Sequence, residues 1–113
     1  AKARALVGNI DPCYPGYDTS ILEMDRARRF LTELDRINRE AVLPELSIIR
    51  LPNDHTEGTK KGRRTPRAYV AEHDQALGAI LEGLSKSRFW KRMAVFIVED
   101  DAQNGSDHVD CHR

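Results

Sequence analysis

Met93-Ala-Val-Phe-Ile-Val98 contains no polar residue, and the three residues after it, Glu99, Asp100 and Asp101, are all carboxylates. A run that is apolar on both faces is expected to be buried on both, as strands of parallel sheets are. Carboxylates this close repel one another, and a divalent cation is the simplest agent that keeps them ionised together. The pattern occurs once before. Leu46-Ser-Ile-Ile-Arg-Leu51 is short, carries β-branched residues, follows Pro44 and runs into Pro52-Asn-Asp-His-Thr56, where Asp stands beside His. Both runs are predicted to be strands.

Between them lies a segment with helical periodicity. Thr65 is suited to cap its start, with Pro66 at the first helical position. Val70, His73, Leu77, Ile80, Leu81 and Leu84 then share one face of a helix predicted over 66–85. Strand, helix, strand is a βαβ unit with a right-handed crossover, so the predicted fold class is α/β, with parallel strands at 46–51 and 93–98. Parallel strands send their following loops to the same edge, and ligands of open α/β sheets bind there. The loop after Leu51 and the acidic end after Val98 are therefore expected to meet.

The remainder is simpler. Residues 8–19 hold two prolines and two glycines and read as irregular structure. Ser20 with Glu23 three residues later fits a capping box. Met24, Ala27, Phe30, Leu31, Leu34 and Ile37 follow at helical spacing, with Arg26, Arg28, Arg29, Glu33 and Asp35 read as the solvated face. Ser85 to Lys91 reads as a polar connection in which Phe89 and Trp90 are packing anchors. A length of 113 residues suits one domain, residues 1–113. Lys plus Arg balance Asp plus Glu at 18 each, which gives no global reason to expect nucleic acid or an anionic membrane as partner. No apolar run is long enough for a transmembrane span. Cys13 and Cys111 sit near opposite ends without CxxC spacing and read as unpaired thiols, with a disulfide between them as the alternative.

Asp54, His55, Asp100 and Asp101 form the candidate metal site, with His108 and His112 as satellites. Mixed carboxylate and imidazole donors suit Zn²⁺, Mn²⁺ or Fe, whereas Mg²⁺ and Ca²⁺ prefer all-oxygen sites. Six candidate ligands exceed the needs of one catalytic tetrahedral site and approach those of two. Two metals roughly 3.5–4 Å apart would clamp both oxygens of a phosphoryl transfer. Each residue also has a structural reading: Asp54 in an Asx turn, His55 as an exposed loop histidine, the acidic trio as loop caps. His73 reads as a histidine of the core boundary. Lys60, Lys61, Arg63 and Arg64 read as a solvated loop, or as contacts to a substrate phosphate.

Several stretches together resemble the bacterial phosphoesterase family of the alkaline phosphatase superfamily, related to the phospholipase C and acid phosphatase group. They are Asp11-Pro-Cys-Tyr-Pro-Gly16, Leu51-Pro-Asn-Asp-His-Thr-Glu-Gly-Thr59, Thr65-Pro-Arg-Ala68, Asp74-Gln-Ala-Leu-Gly78, Trp90-Lys91 and Val98-Glu-Asp-Asp-Ala-Gln-Asn-Gly-Ser-Asp-His-Val-Asp-Cys-His-Arg113. The resemblance implies a mixed sheet flanked by helices, two metals at the strands' carboxyl ends and a Ser or Thr nucleophile that becomes phosphorylated. Asp100 and Asp101 match the ligand pair that follows a late strand. His55 with Gly58 matches a His-x-x-Gly ligand motif, and His108 matches the motif closing the phospholipase-type site. The Asp usually found four residues before that His is replaced by Leu51, so either Asp54 serves in its place or the site differs. The superfamily's nucleophile and first ligand lie upstream, and Thr56 is not at the matching place. The chain is thus expected to be the C-terminal catalytic segment of a larger enzyme, with the rest of that chain as its partner and a small-molecule or lipid phosphate ester as substrate. A periplasmic or secreted location follows from the resemblance alone.

Two other readings compete. Phe96-Ile-Val-Glu-Asp-Asp101 resembles the acidic, Mg²⁺-binding pocket of receiver domains, but there it opens the domain, whereas here only a dozen residues follow. A non-catalytic α/β module with a structural divalent ion is the other alternative.

Overall fold

The computed structural model describes residues 4–99. Two long helices dominate it: α1, Glu23–Glu40, and α2, Pro66–Lys86. Short 3-10 turns cover Arg4–Leu6, Asn53–His55 and Trp90–Arg92. The start of α2 follows from its sequence: the Thr65 hydroxyl accepts the Ala68 N–H at 3.2 Å, and Pro66 holds the first position. The start of α1 does not follow the expected box. Leu22 is its N-cap with no side-chain bond, Ser20 donates instead to Asp18 at 2.5 Å, and Glu23 turns inward. At the far end Ala41 closes α1 in the left-handed conformation (φ 58).

The core is the seam between the helices. Ala27 and Leu34 of α1 meet Ala76, Ile80 and Leu84 of α2, and Met24, Phe30 and Leu31 pack at its edges. The helices run in the same direction, because their contacts advance together: Glu23 lies by His73, Leu31 by Gly83, and the Asn38 carbonyl by Arg88. Parallel helices need a return path. Residues 41–65 supply it, and Ile49 and Leu51 on that path pack against the helical seam, as does Met93 beyond α2. The buried face of α2 is Tyr69, Ala76, Ile80 and Leu84, rotated from the expected one, so Val70 is exposed.

The α/β expectation is overturned. Among the described residues there is no strand and no sheet, and 46–51 and 93–98 share no ladder. The physical reason is a missing partner. Within 46–51, Ile49 and Leu51 turn to the helices while Leu46 and Ile48 (85% exposed) face outward. In 93–98, Met93 packs and Phe96 (85% exposed), Ile97 and Val98 do not. Each run has the composition of a strand, but strand stability comes from cross-strand neighbours, and neither run has one among the described residues. Trp90 is likewise exposed, and Phe89 is half-buried. No helix of the described residues is long and apolar enough to cross a membrane.

Closeness of the helices is set at Gly83, where an added Cβ would clash with a Leu31 methyl, whereas at Gly78 it would meet nothing within 4 Å. Gly78→Ala should therefore stabilise the fold by about 0.5–1 kcal/mol through helix propensity alone. Gly83→Ala gains the same propensity but overpacks the seam, at a cost of about 1–3 kcal/mol. Urea unfolding of the two variants should place Gly83→Ala below Gly78→Ala in stability. Equal gains would show that Leu31 moves aside freely.

Candidate functional site

The turn Asn53–His55 sits on α2 and is clamped from one side by the residues that lead into α1. Glu23, wholly buried, accepts the Asn53 N–H through Oε1 at 2.5 Å. The Asn53 amide donates to the Ile21 carbonyl at 2.8 Å. Beyond the turn, the Thr19 hydroxyl donates to Glu57 at 2.5 Å, and this bond, with Lys60, holds the Glu57 carboxyl below its ordinary pKa. Arg26, expected on the solvated face, is instead wholly buried. Its guanidinium donates to the carbonyls of Gly16 (2.7 Å), Asp18 (2.9 Å) and Ile21 (3.3 Å) and pairs with Glu23 at 3.4 Å. The irregular segment before α1 is thereby pinned to the helix, as Arg29 pins Asp11 with two bonds of 2.6 and 2.7 Å. Tyr14 donates to the Arg50 carbonyl at 2.9 Å; burial first, then the nearby Glu23 charge, push its phenol up to about 12.

Between these clamps, Thr56 adopts φ 58, ψ −178. That conformation belongs to glycine, and a β-branched residue in it is strained. The turn it closes carries Asp54 and His55 in different directions. Asp54 is half-buried, with Oδ1 3.9 Å from His73 Nδ1. His55 is exposed; its ring meets Tyr17 edge-on at 6.0 Å, and its Nδ1 lies 3.2 Å from the Thr56 carbonyl.

Asp54 opens onto a cleft of about 270 Å³ whose other walls are Val70 and His73 of α2 and Ile97, Val98 and Glu99. The residues after both apolar runs thus reach one cleft without a sheet to bring them there. His73 is the residue that the sequence reading left in the core boundary. Its Nδ1 is sealed from solvent, has no hydrogen-bond partner, and lies 3.9 Å from both Glu23 Oε1 and Asp54 Oδ1. That distance exceeds a hydrogen bond, so the contact is electrostatic. Glu23, with Asp54 adding to it, holds the imidazole above its ordinary pKa against the opposing effect of burial. The signal in the sequence was a lone polar residue inside an apolar helical stripe.

The basic loop divides. Arg64 pairs with Glu72, donates to the Thr19 carbonyl at 2.9 Å and stacks 4.2 Å over the Tyr69 ring. Lys60 pairs with Glu57 at 3.2 Å, while Lys61 and Arg63 are exposed. Cys13 is exposed. Asp100, Asp101, His108, His112 and Cys111 lie outside the described residues. The donors at the cleft, two carboxylates and an imidazole, are of the kind that hold Zn²⁺ or Mn²⁺. Among the described residues, however, no three His, Cys, Asp or Glu side chains converge closely enough to hold an ion. No family model, curated protein or solved structure matches the chain.

Relief of the strain at Thr56 is measurable. Thr56→Gly should raise unfolding stability by about 1 kcal/mol, the low end of what such a conformation costs, because the bond from Gly58 N–H to the Thr56 hydroxyl (3.2 Å) is lost with it. A loss of stability in denaturant titration would mean that the side chain contributes more than its backbone costs.

Proposed function

We propose that this cleft is part of a divalent-cation-dependent site for hydrolysis of phosphate esters, as the resemblance to the bacterial phosphoesterase family implies. The observation that carries the reading is that Asp54, His73 and Glu99, from three separate segments, line one cleft. Two carboxylates facing a shared space repel an anionic ester unless a cation stands between. Asp54 would hold that cation, together with Asp100 and Asp101, which follow Glu99 directly in the chain. Bound there, Zn²⁺ or Mn²⁺ would supply Lewis-acid stabilisation of the oxygens that enter and leave phosphorus. The chain's own residues do the rest. Val70, Ile97 and Val98 give the cleft an apolar lining, and Glu23 and Asn53 fix the turn that presents Asp54. Lys61 and Arg63, exposed on the loop beyond that turn, would attract a phosphate dianion. Thr56 is locked in a strained turn with its hydroxyl accepting the Gly58 N–H, a poor state for a nucleophile. As the resemblance implies, the Ser or Thr that attacks phosphorus would lie outside this chain.

Asp54→Asn keeps the shape of the turn and removes the charge. Titration calorimetry with Mn²⁺ should show at least a tenfold loss of affinity in this variant, a magnitude in line with what disruption around a metal site costs. The protein that carries this chain together with the nucleophile should hydrolyse an aryl phosphate in a chelator-sensitive way, whereas the 113-residue chain should bind Mn²⁺ without turnover. Stoichiometric metal with no hydrolysis in the longer protein would replace this reading with that of a structural ion.

A further inference from the structure

The loop over 58–63 hangs between two anchors that meet at one residue. Thr19, buried ahead of α1, donates through its hydroxyl to Glu57 at 2.5 Å and accepts the Arg64 guanidinium on its carbonyl at 2.9 Å. Arg64 is held further by Glu72 and by the Tyr69 ring. Between the anchors, residues 59–63 are exposed, and three of those five are cationic: Lys60, Lys61 and Arg63. The bonds within the loop are local turns, from the Lys60 N–H to the Glu57 carbonyl (3.2 Å) and from the Arg63 N–H to the Lys60 carbonyl (3.1 Å). A Cβ added at Gly58 or Gly62 would meet nothing within 4 Å, so no side chain packs against the loop at either point. Opening it into an extended strand therefore sacrifices little, and exposed loop tips that open cheaply are where proteases cut folded domains. Other exposed basic residues are better protected. Arg28, Arg36 and Arg39 lie within α1, and Arg88, Lys91 and Arg92 follow the buried Ser87 in a connector tied by Trp90 N–H to the Ser87 carbonyl and by Arg92 N–H to the Phe89 carbonyl.

We infer that the loop over 58–63 is a processing site for an endoprotease whose pocket takes lysine or arginine, cut at the Lys61–Gly62 bond, and that the protein outlasts the cut as two associated chains. An acidic pocket selects a basic side chain by charge, and Lys60 and Arg63 on either side add to the attraction. Water adds across the amide: the C–N bond breaks, Lys61 gains a carboxylate and Gly62 an ammonium group. The Arg64–Thr65 bond is spared, because the Arg64 side chain is occupied and Thr65 caps α2. After the cut, both stumps stay tied to Thr19, one through Glu57 and the other through Arg64. The apolar seam joins the pieces as well, since Ala27 and Leu34 fall in 1–61 and Ala76, Ile80 and Leu84 in 62–113. The cleft then becomes a joint between two chains, with Asp54 on the first and Val70, His73 and Glu99 on the second. None of this depends on the cation proposed for that cleft.

The test is limited digestion of the 113-residue chain with trypsin at a low enzyme ratio, followed by intact mass measurement. Although the chain carries 18 Lys and Arg, the earliest internal products should be the pair 1–61 and 62–113. Under native conditions the pair should elute as one species at the position of the uncut chain, and it should separate only in denaturant. The exposed side chains of the loop can be changed without touching the seam, so Lys60→Gln/Lys61→Gln/Arg63→Gln should keep the wild-type urea midpoint and lose the early cut, with the first internal cleavage slowed by at least about tenfold. A first internal cut in α1 or in 87–92 overturns the inference. So do fragments that part under native conditions, which would show that Thr19 and the seam do not hold the nicked protein, and an unchanged rate of first cleavage in the triple variant.

Discussion

A single carboxylate without access to water ties the structure together. Glu23 joins α1 to the Asn53 turn by a hydrogen bond, to Arg26 by an ion pair and to α2 through the field it exerts on His73. Arg26, equally buried, carries the connection to the carbonyls of Gly16, Asp18 and Ile21. Breaking a buried pair by removing one partner typically costs about 3–5 kcal/mol, as much as truncating a large side chain of the apolar seam. The hydrophobic seam makes the two helices associate. The Glu23–Arg26 pair holds the irregular segments around their starts, one of which presents Asp54 to the cleft.

Parallel helices give this arrangement its functional geometry. Because α1 and α2 start at the same end, the residues before α1, the turn that precedes α2's loop and the first turns of α2 gather there. Asp54 is presented from the turn and His73 from the second turn of α2, while Glu99 comes from the residues beyond it. Leu46, Ile48, Phe96 and Val98 are largely exposed among the described residues.

Sequence patterning made the helices legible, and particular residues show where it stopped. Thr65-Pro66 announces α2, and Ala27, Leu34 and Ile37 fall on the buried face of α1 as their spacing requires. Arg26 falls beside that stripe and was assigned to water, because charge normally forbids burial. Its partners are backbone carbonyls of a non-periodic segment, which no side-chain pattern reveals. The same holds for Glu23, whose spacing from Ser20 suits a cap but whose carboxylate serves Asn53, thirty residues away in sequence. The strand reading failed for another reason. Composition at 46–51 and 93–98 describes what a strand would bury, whereas a ladder requires a neighbour, and composition cannot name one. At the site, Asp54 was legible as a carboxylate after an apolar run. His73 was not, because a polar residue in an apolar stripe is usually a satisfied one, and only the buried, unpartnered Nδ1 distinguishes it.

Asp54, His73 and Glu99 line one cleft, and the proposal that a cation binds there can be tested directly. The test is paramagnetic broadening of the ¹H–¹⁵N spectrum by substoichiometric Mn²⁺, since the effect falls off steeply with distance from the ion. The amides of Asp54, Val70, His73 and Glu99 should broaden first and together, before those of the exposed acidic residues Glu40 and Glu82. Broadening spread evenly over the surface carboxylates, or centred away from the Asn53–His55 turn, would contradict the account.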